Sequence, residues 1–382
     1  MQKQRKCLQE LRDAHIFSYF CRHTKRISSK YSMNQNIMIS HHLQTDLTKA
    51  IVDCQPDYLF VLTDSTTREH CWTRIQNLEI LKEAQLITIA PTDMHKDLRA
   101  VEQIWTALQD NHATRHSCLI NLGGGMVTDI GGFAASTFKR GISFINIPTT
   151  LLAMVDASVG GKTGFNFNGL KNEIGVFNDA NFVILNTCFL QTLDLENLRS
   201  GYAEMLKHGL LAHENRFAQL LSFSLEHPID YQLLQQMVEE SVKIKEGIVR
   251  QDPHEKGLRK ALNLGHTFGH AFESWSLKHT PILHGYAVAY GLTCELYLSA
   301  LKCGFPTHKM HQLNQFIHEN YGTLPITCHD YDALIQLMKH DKKNVGDTIN
   351  FTLLENIGKV KTDQTATVEE IKEALDFLRE GC

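Results

Sequence analysis

No apolar run in the 382 residues is long enough to cross a bilayer, no tract is of low complexity, and no internal repeat is visible. Those absences set aside a helical membrane protein and a repeat or fibrous chain. The ten cysteines, at positions 7, 21, 54, 71, 118, 188, 294, 303, 328 and 382, form no CxxC pair. Dispersed in this way, they read as reduced thiols of a cytoplasmic protein. Excess positive charge is also lacking, since the net charge is −4. Residues 1–32 hold eight Lys/Arg against two Asp/Glu, a surplus of six, so the rest of the chain stands at −10. A body of that charge is not expected to bind nucleic acid. The same 32 residues lack the apolar core of about 7–15 residues that a secretory signal needs. Either they are a transit-like or disordered extension, or the true start is Met33. The second fits better, because strand-like pattern resumes at once in NIMISHHL.

What is present is material for well-buried cores: 43% of the residues are hydrophobic, enough for one large or two ordinary domains. Strand-like runs at Tyr58–Thr63, Gln85–Ala90, Ser117–Leu122, Ser143–Ile147 and Phe182–Leu185 alternate with helical patterns such as Leu98, Val101, Trp105 and Leu108. Alternation of this kind predicts a mostly parallel sheet covered by helices. Beyond about residue 190 the strands nearly vanish. Helical spacing takes over at Leu193–Leu211, Leu233–Val249, Thr267–Leu277, Tyr286–Cys303 and Val368–Leu378. The expected organisation is an α/β domain over 33–192 and a helical domain over 193–382, with a ligand in the cleft between them.

The chemistry concentrates in Leu122–Phe177. Gly123, Gly124 and Gly125 stand between an apolar strand and the helical run Met126–Phe133, a turn that lets backbone N–H groups and a helix N-terminus approach a pyrophosphate. The spacing is not GxGxxG, so a plain structural turn remains open. Gly161, Lys162 and Thr163 resemble the end of a P-loop, but the glycine that GxxxxGK[ST] requires falls on Asp156, and a triphosphate site is rejected.

Farther on, Glu204 lies in GYAEMLKHG, His266 and His270 in NLGHTFGH, and His284 in ILHGYA. One carboxylate and two imidazoles suit a catalytic metal that keeps open positions. His266 and His270, four apart, share a helix face and could both bind; equally, among 21 histidines, these could be capping or surface residues. HTFGH lacks the glutamate of HExxH, so no zinc protease is implied. Arg140, Lys162, Lys171, Lys207, Lys245, Arg259, Lys342 and Lys343 form a second set, several of them beside glycine or in apolar context. Singly each reads as a surface charge. Together they point to a substrate with more than one anionic group.

From about Met33 to the C-terminus the motifs GGGxxxD, RG, PTTLLAxVDxSVGGKT, GLKNEIG, GYAExxKxG, GLRxxLNxGHTxGH, LHG and DKK occur in order. In that combination the chain resembles the sugar-phosphate cyclases of the 3-dehydroquinate synthase family. The resemblance implies a Rossmann-like dinucleotide-binding domain joined to a helical metal-binding domain, a homodimer, bound NAD, and Zn2+ or Co2+. It implies conversion of the phosphorylated sugar acid 3-deoxy-D-arabino-heptulosonate 7-phosphate to 3-dehydroquinate and phosphate. The steps would be transient oxidation by NAD, phosphate elimination, reduction and intramolecular aldol closure.

By the same resemblance Glu204, His266 and His284 match the metal ligands, and His270 a substrate-side histidine. Asp64, Asp93, Lys96, Gly124, Gly125, Asp129, Thr149, Thr150, Lys171 and Thr192 match dinucleotide contacts. Asp156, Lys162, Lys207 and His270 match catalytic positions, and Asn172, Lys245, Arg259, Asn263, Lys342 and Lys343 the substrate pocket. Arg140 matches a residue that reaches a neighbouring subunit's site. One departure stands out: the family's GExxK appears as TDMHK, so Asp93 replaces a glutamate expected at the adenosine ribose, while Lys96 keeps the basic position. A related cyclase acting on a sugar without the carboxylate, a polyol dehydrogenase and an inactive binding protein are the competing readings. Lys245 and Arg259, the matched carboxylate-binding pair, with His270 and Asn263, speak against the first, the many lysines against the second, and the intact set of matched site positions against the third.

Overall fold

Runs of Val, Ile, Leu and Phe without polar alternation make strands that are buried on both faces, and the sheet they build here is wholly parallel. The computed structural model of the chain describes residues 35–226, 228–339 and 348–381. The extension at 1–32, Lys342 and Lys343 lie outside the described residues.

The chain begins with strand β1 (Asn36–Ile39), helix α1 (Leu43–Cys54) and strands β2 (Leu59–Asp64) and β3 (Gln85–Ile89). Helix α2 (Leu98–Asp110), strand β4 (Cys118–Gly123), helix α3 (Gly125–Thr137) and strand β5 (Ser143–Pro148) follow. A hairpin of β6 (Lys162–Phe167) and β7 (Leu170–Phe177) precedes β8 (Phe182–Leu185). The six-stranded sheet has the order β1-β8-β5-β4-β2-β3. From β2 the chain moves outward to the edge at β3, then returns to lay β4 and β5 on the opposite side. The winding therefore reverses between β2 and β4, and in open parallel sheets the crevice at the carboxyl ends of such strands is the ligand site.

The expected α/β part and helical part are both present, with two differences in detail. The glycine- and lysine-rich stretch after Val159, absent from the strand-like runs, is the antiparallel hairpin β6–β7, paired from Lys162↔Phe177 to Phe165↔Ile174 and, after a register shift, at Phe167↔Leu170. Its glycines are needed there: a Cβ on Gly164 would stand 2.5 Å from the Ile174 carbonyl oxygen. The helical part also contains a second hairpin, described below.

That part consists of α4 (Leu195–Ala212), α5 (Glu214–Ser222), α6 (Tyr231–Gln251), α7 (His266–Ser276), α8 (His284–Cys303), α9 (Thr307–Tyr321) and α10 (Tyr331–Lys339), then β9 (Asn350–Asn356), β10 (Lys359–Thr365) and α11 (Val368–Glu380). Residues Ser200–Ala212 of α4 are all buried, so this helix runs through the middle of the layer. Helix α8 approaches two neighbours at glycine. A Cβ on Gly285 would lie 1.8 Å from the Ser200 carbonyl oxygen of α4, and one on Gly291 would lie 1.9 Å from that of Gly265, just before α7. Glycine is what permits these approaches, and they set the first residues of α7 and α8 against α4.

Candidate active site

At the sheet, the residues matched to dinucleotide contacts follow the carboxyl ends of successive strands. Asp64 ends β2, Asp93 and Lys96 lie beyond β3, Gly124 and Gly125 beyond β4, Thr149 and Thr150 beyond β5, and Thr192 beyond β8. Helix α3 starts at Gly124 with no side chain capping it, so its first-turn N–H groups have no side-chain acceptor. A Cβ on Gly124 would stand 3.1 Å from Thr150 Cγ2, and Thr149 N donates to the Gly123 carbonyl at 2.9 Å. This close, uncapped turn fits a pyrophosphate. Asp64 instead turns one oxygen inward, accepting from Thr67 N at 2.7 Å as the cap of a single helical turn. Lys96 is buried between Asp129, at 2.5 Å, and Asn172. Asp93 follows Thr92, a β-branched residue held at φ 77, which marks a locally constrained backbone.

In the helical layer, the ligand atoms of Glu204, His266 and His284 lie within 4.8 Å of one another. His266 Nε2 is 3.4 Å and His284 Nε2 3.5 Å from Glu204 Oε1. Glu204 is fully buried, pairs with Lys207 one turn later, and neither of its oxygens accepts a well-aligned hydrogen bond. The outward nitrogens are occupied: His266 Nδ1 donates to the Leu264 carbonyl at 3.1 Å and His284 Nδ1 to Glu273 Oε2 at 3.2 Å. Both Nε2 atoms thus face one buried carboxylate, a donor set suited to Zn2+ or Co2+. Burial opposes a charge on His284, but Glu204 and Glu273 outweigh it and push its pKa up to about 10. The His270 ring lies 5.4 Å from that of His266 and 6.2 Å from that of His284 between centroids, beside the triad.

A set of polar and charged side chains adjoins this cluster. Lys245 Nζ donates to Asp156 Oδ1 and to the Asp156 carbonyl, both at 2.6 Å. Burial works against the Asp156 charge, yet Lys245 holds that carboxyl below the usual range. Buried Arg259 donates to the Pro253 carbonyl at 2.7 Å and the Gly160 carbonyl at 3.3 Å. Glu255 accepts from Lys162 at 2.5 Å and from Asn263 at 2.9 Å. Asp156 and His208 group with Glu204 as well. His208 is driven down to about 3 by burial and by Lys207, so it is a neutral imidazole, with Nδ1 2.6 Å from Ser241 Oγ.

The two regions meet through Lys171, whose Nζ lies 2.6 Å from Glu273 on α7 and 3.4 Å from Asp93. Arg140 and Thr192 stand apart and exposed. Arg140 sits in a left-handed stretch in which Lys139 (φ 48), Arg140 (φ 71) and Gly141 (φ 111) succeed one another.

Three carboxylates escaped the sequence reading. Glu255 sits among the basic residues, Glu273 backs His284, and Glu295 accepts from Gly265 N at 2.6 Å and Thr267 N at 3.0 Å, fixing the start of the helix that carries His266. For Glu273 a signal existed, since it falls three and seven residues after His270 and His266, on their helix face. Glu295 was visible as a lone charge inside the apolar run of α8.

Residues 86–200 match the family described as 3-dehydroquinate synthase N-terminal and residues 201–344 the one described as 3-dehydroquinate synthase C-terminal. A 3-dehydroquinate synthase of Parabacteroides distasonis is 51% identical over 348 residues, covering 91% of this chain and 98% of that protein. One of Pyrococcus furiosus is 38% identical, covering 83% and 90%. Among solved structures, the 2-epi-5-epi-valiolone synthase of Streptomyces hygroscopicus with NAD+ and Zn2+ bound superposes with a TM-score of 0.80 at 24% identity, covering 94% of this chain and 100% of that one. A 2-deoxy-scyllo-inosose synthase complexed with carbaglucose-6-phosphate, NAD+ and Co2+ gives 0.76 at 22%, covering 89% and 95%. At those identities the structures speak for the fold.

Proposed function

The chain belongs to the 3-dehydroquinate synthase family and is a phosphate-eliminating lyase of the shikimate pathway, and from that premise we propose how its own residues divide the work on 3-deoxy-D-arabino-heptulosonate 7-phosphate. The observation that carries the proposal is the buried Glu204 carboxylate, faced by two imidazole Nε2 atoms, paired with Lys207 and grouped with Asp156, which Lys245 holds. Glu204, His266 and His284 would hold Zn2+ or Co2+, and the β4–α3 turn with Thr149 and Thr150 the pyrophosphate of NAD. Asp64, Asp93, Lys96, Asp129, Lys171 and Thr192 would complete the cofactor site. When bound, NAD supplies a transient hydride acceptor and the metal a Lewis acid for the hydroxyl that is oxidised.

The protein's part is orientation and charge balance. Arg259 and Lys245, each held by an internal acceptor, pair with the substrate carboxylate. Lys162, Asn172, Asn263, Lys342 and Lys343, with His270, take the phosphate end. Asp156 stays ionised beside Lys245 and holds that ammonium in place, and Lys207 balances Glu204 in a pocket where each charge needs a partner. Asp93 is one methylene shorter than the family's glutamate and, reaching Lys171, serves the cofactor through that lysine.

We further propose a division into domains after Thr192 and a homodimer in which Arg140 reaches the partner's pocket. The constrained, exposed turn at Arg140 and the exposed Phe167, Leu170, Ile174 and Phe177 of the β6–β7 hairpin support that assembly. Among the described residues no helix is long and apolar enough to cross a membrane, and we place the protein in the cytoplasm on its dispersed cysteines. The test is phosphate release with NAD and Zn2+, with product identified: turnover of the heptulosonate phosphate and none of sedoheptulose 7-phosphate, which lacks the carboxylate. Efficient turnover of the latter would assign the site to a valiolone-type cyclase.

A further inference from the structure

We propose that Glu273 is the positioning residue that fixes His284 as an Nε2 donor to the metal, an inference that rests on the triad reading above. A free imidazole places its proton on either nitrogen, and only the deprotonated one can bind an ion. At His284 that choice is made from outside the triad: Nδ1 donates to Glu273 Oε2 at 3.2 Å, which leaves Nε2 turned toward Glu204. His266 is backed by the neutral Leu264 carbonyl, so the two imidazoles differ in strength as donors. A carboxylate behind a ligand histidine raises its basicity and locks its ring, which a carbonyl does less.

Glu273 can do this because it is itself held. It sits on the α7 face that carries His266 and His270, its side chain is 13% exposed, and its other oxygen accepts from Lys171 Nζ at 2.6 Å. One oxygen faces the triad and the other the β6–β7 hairpin. The carboxylate therefore cannot rotate away from His284 without breaking an ion pair.

Metal-free full-length protein would be titrated with Zn2+ against a chromophoric chelator, and with Co2+ while following its visible d–d bands, for the wild type, Glu273→Gln, Glu273→Leu and Glu204→Ala. Loss of the backing carboxylate is expected to weaken Zn2+ binding about 10- to 100-fold in Glu273→Leu, with partial recovery in Glu273→Gln, and to shift the cobalt bands. The melting temperature of Glu273→Gln should stay near wild type, which separates positioning from a folding defect. Should Glu273→Leu fail to fold, the isosteric Gln variant decides. Zinc affinity within about threefold of wild type with an unchanged cobalt spectrum overturns the role of Glu273. Retention of metal by Glu204→Ala would instead overturn the triad on which it rests.

Discussion

At the sheet and in the helical layer the site is made from different parts of the amino acid. Around α3 the groups proposed to meet a ligand are backbone N–H groups, and the side chains matched to contacts, such as Asp64 and Thr192, stand at strand ends or in exposed turns. In the helical layer the groups are side chains, and those at its centre, Glu204 and Lys207, are only 0% and 1% exposed. A backbone cradle tolerates side-chain change as long as the turn survives. A buried charged cluster does not, because every member is a partner that another needs. Substitutions should accordingly separate into those that unbalance charge and those that only crowd a turn.

The largest effect is expected from Glu204→Ala, which removes a proposed metal ligand and leaves Lys207 buried without its carboxylate. Bound metal should be lost and turnover should fall by at least about 10³-fold, roughly 4 kcal/mol in barrier, read by metal analysis and phosphate release. Arg259→Leu comes next. Truncating one partner of a desolvated charge pair costs on the order of 2–5 kcal/mol, or about 30- to several-thousand-fold in kcat/KM for the heptulosonate phosphate. Indifference to that change would detach Arg259 from the substrate carboxylate.

Two glycines sharpen the contrast further. Gly285→Ala drives a Cβ into the Ser200 carbonyl at 1.8 Å, so stability should drop by about 1–3 kcal/mol and metal affinity with it. Gly124→Ala meets only Thr150 Cγ2 at 3.1 Å with φ −71, a conformation alanine accepts. Its melting temperature should stay near wild type while NAD binding weakens about tenfold, near 1.4 kcal/mol. Calorimetric melting with and without NAD distinguishes the two.

The smallest effect is placed at Asp252, which accepts from the backbone N–H groups of Lys256, Gly257 and Arg259 at 2.9, 2.7 and 3.0 Å and so shapes the loop bearing Glu255. Burial opposes its charge, but these three donors outweigh burial and hold its carboxyl below the usual range. A depressed carboxyl stabilises the fold above its unfolded value of about 3.9, and that contribution is lost as pH falls through the lower native value. Asp252→Asn should cost about 1 kcal/mol at pH 7 and progressively less as the pH is lowered through that native value, measured by denaturant midpoints.

The same contrast governs what the sequence made legible. Strands at Leu59–Asp64, Cys118–Gly123 and Ser143–Pro148 were readable because a parallel sheet buries uninterrupted apolar runs, and Gly123–Gly125 because the turn needs glycine. The hairpin Lys162–Phe177 was not, since glycine, asparagine and lysine carry a loop signature while the pairing that makes it a hairpin is between strands. The strands Asn350–Asn356 and Lys359–Thr365 were hidden in the same way, the first as a short apolar run and the second by register shifts and polar composition. Glu204, His266 and His284 stood out through their motifs. Glu255 was obscure because a single carboxylate has no spacing to read, whereas Glu273, at helical spacing from His266 and His270, and Glu295, a lone charge in an apolar run, gave a signal whose meaning comes only from the groups that folding places beside them.

The most direct measurement is the metal content of purified His284→Ala and His270→Ala, taken alongside their turnover. Zinc lost from His284→Ala, with His270→Ala retaining zinc but turning over slowly, is the expected result for a triad of Glu204, His266 and His284 beside a substrate-side histidine. Zinc retained by His284→Ala and lost from His270→Ala would contradict it, and would place the ion on the helix pair His266 and His270 instead.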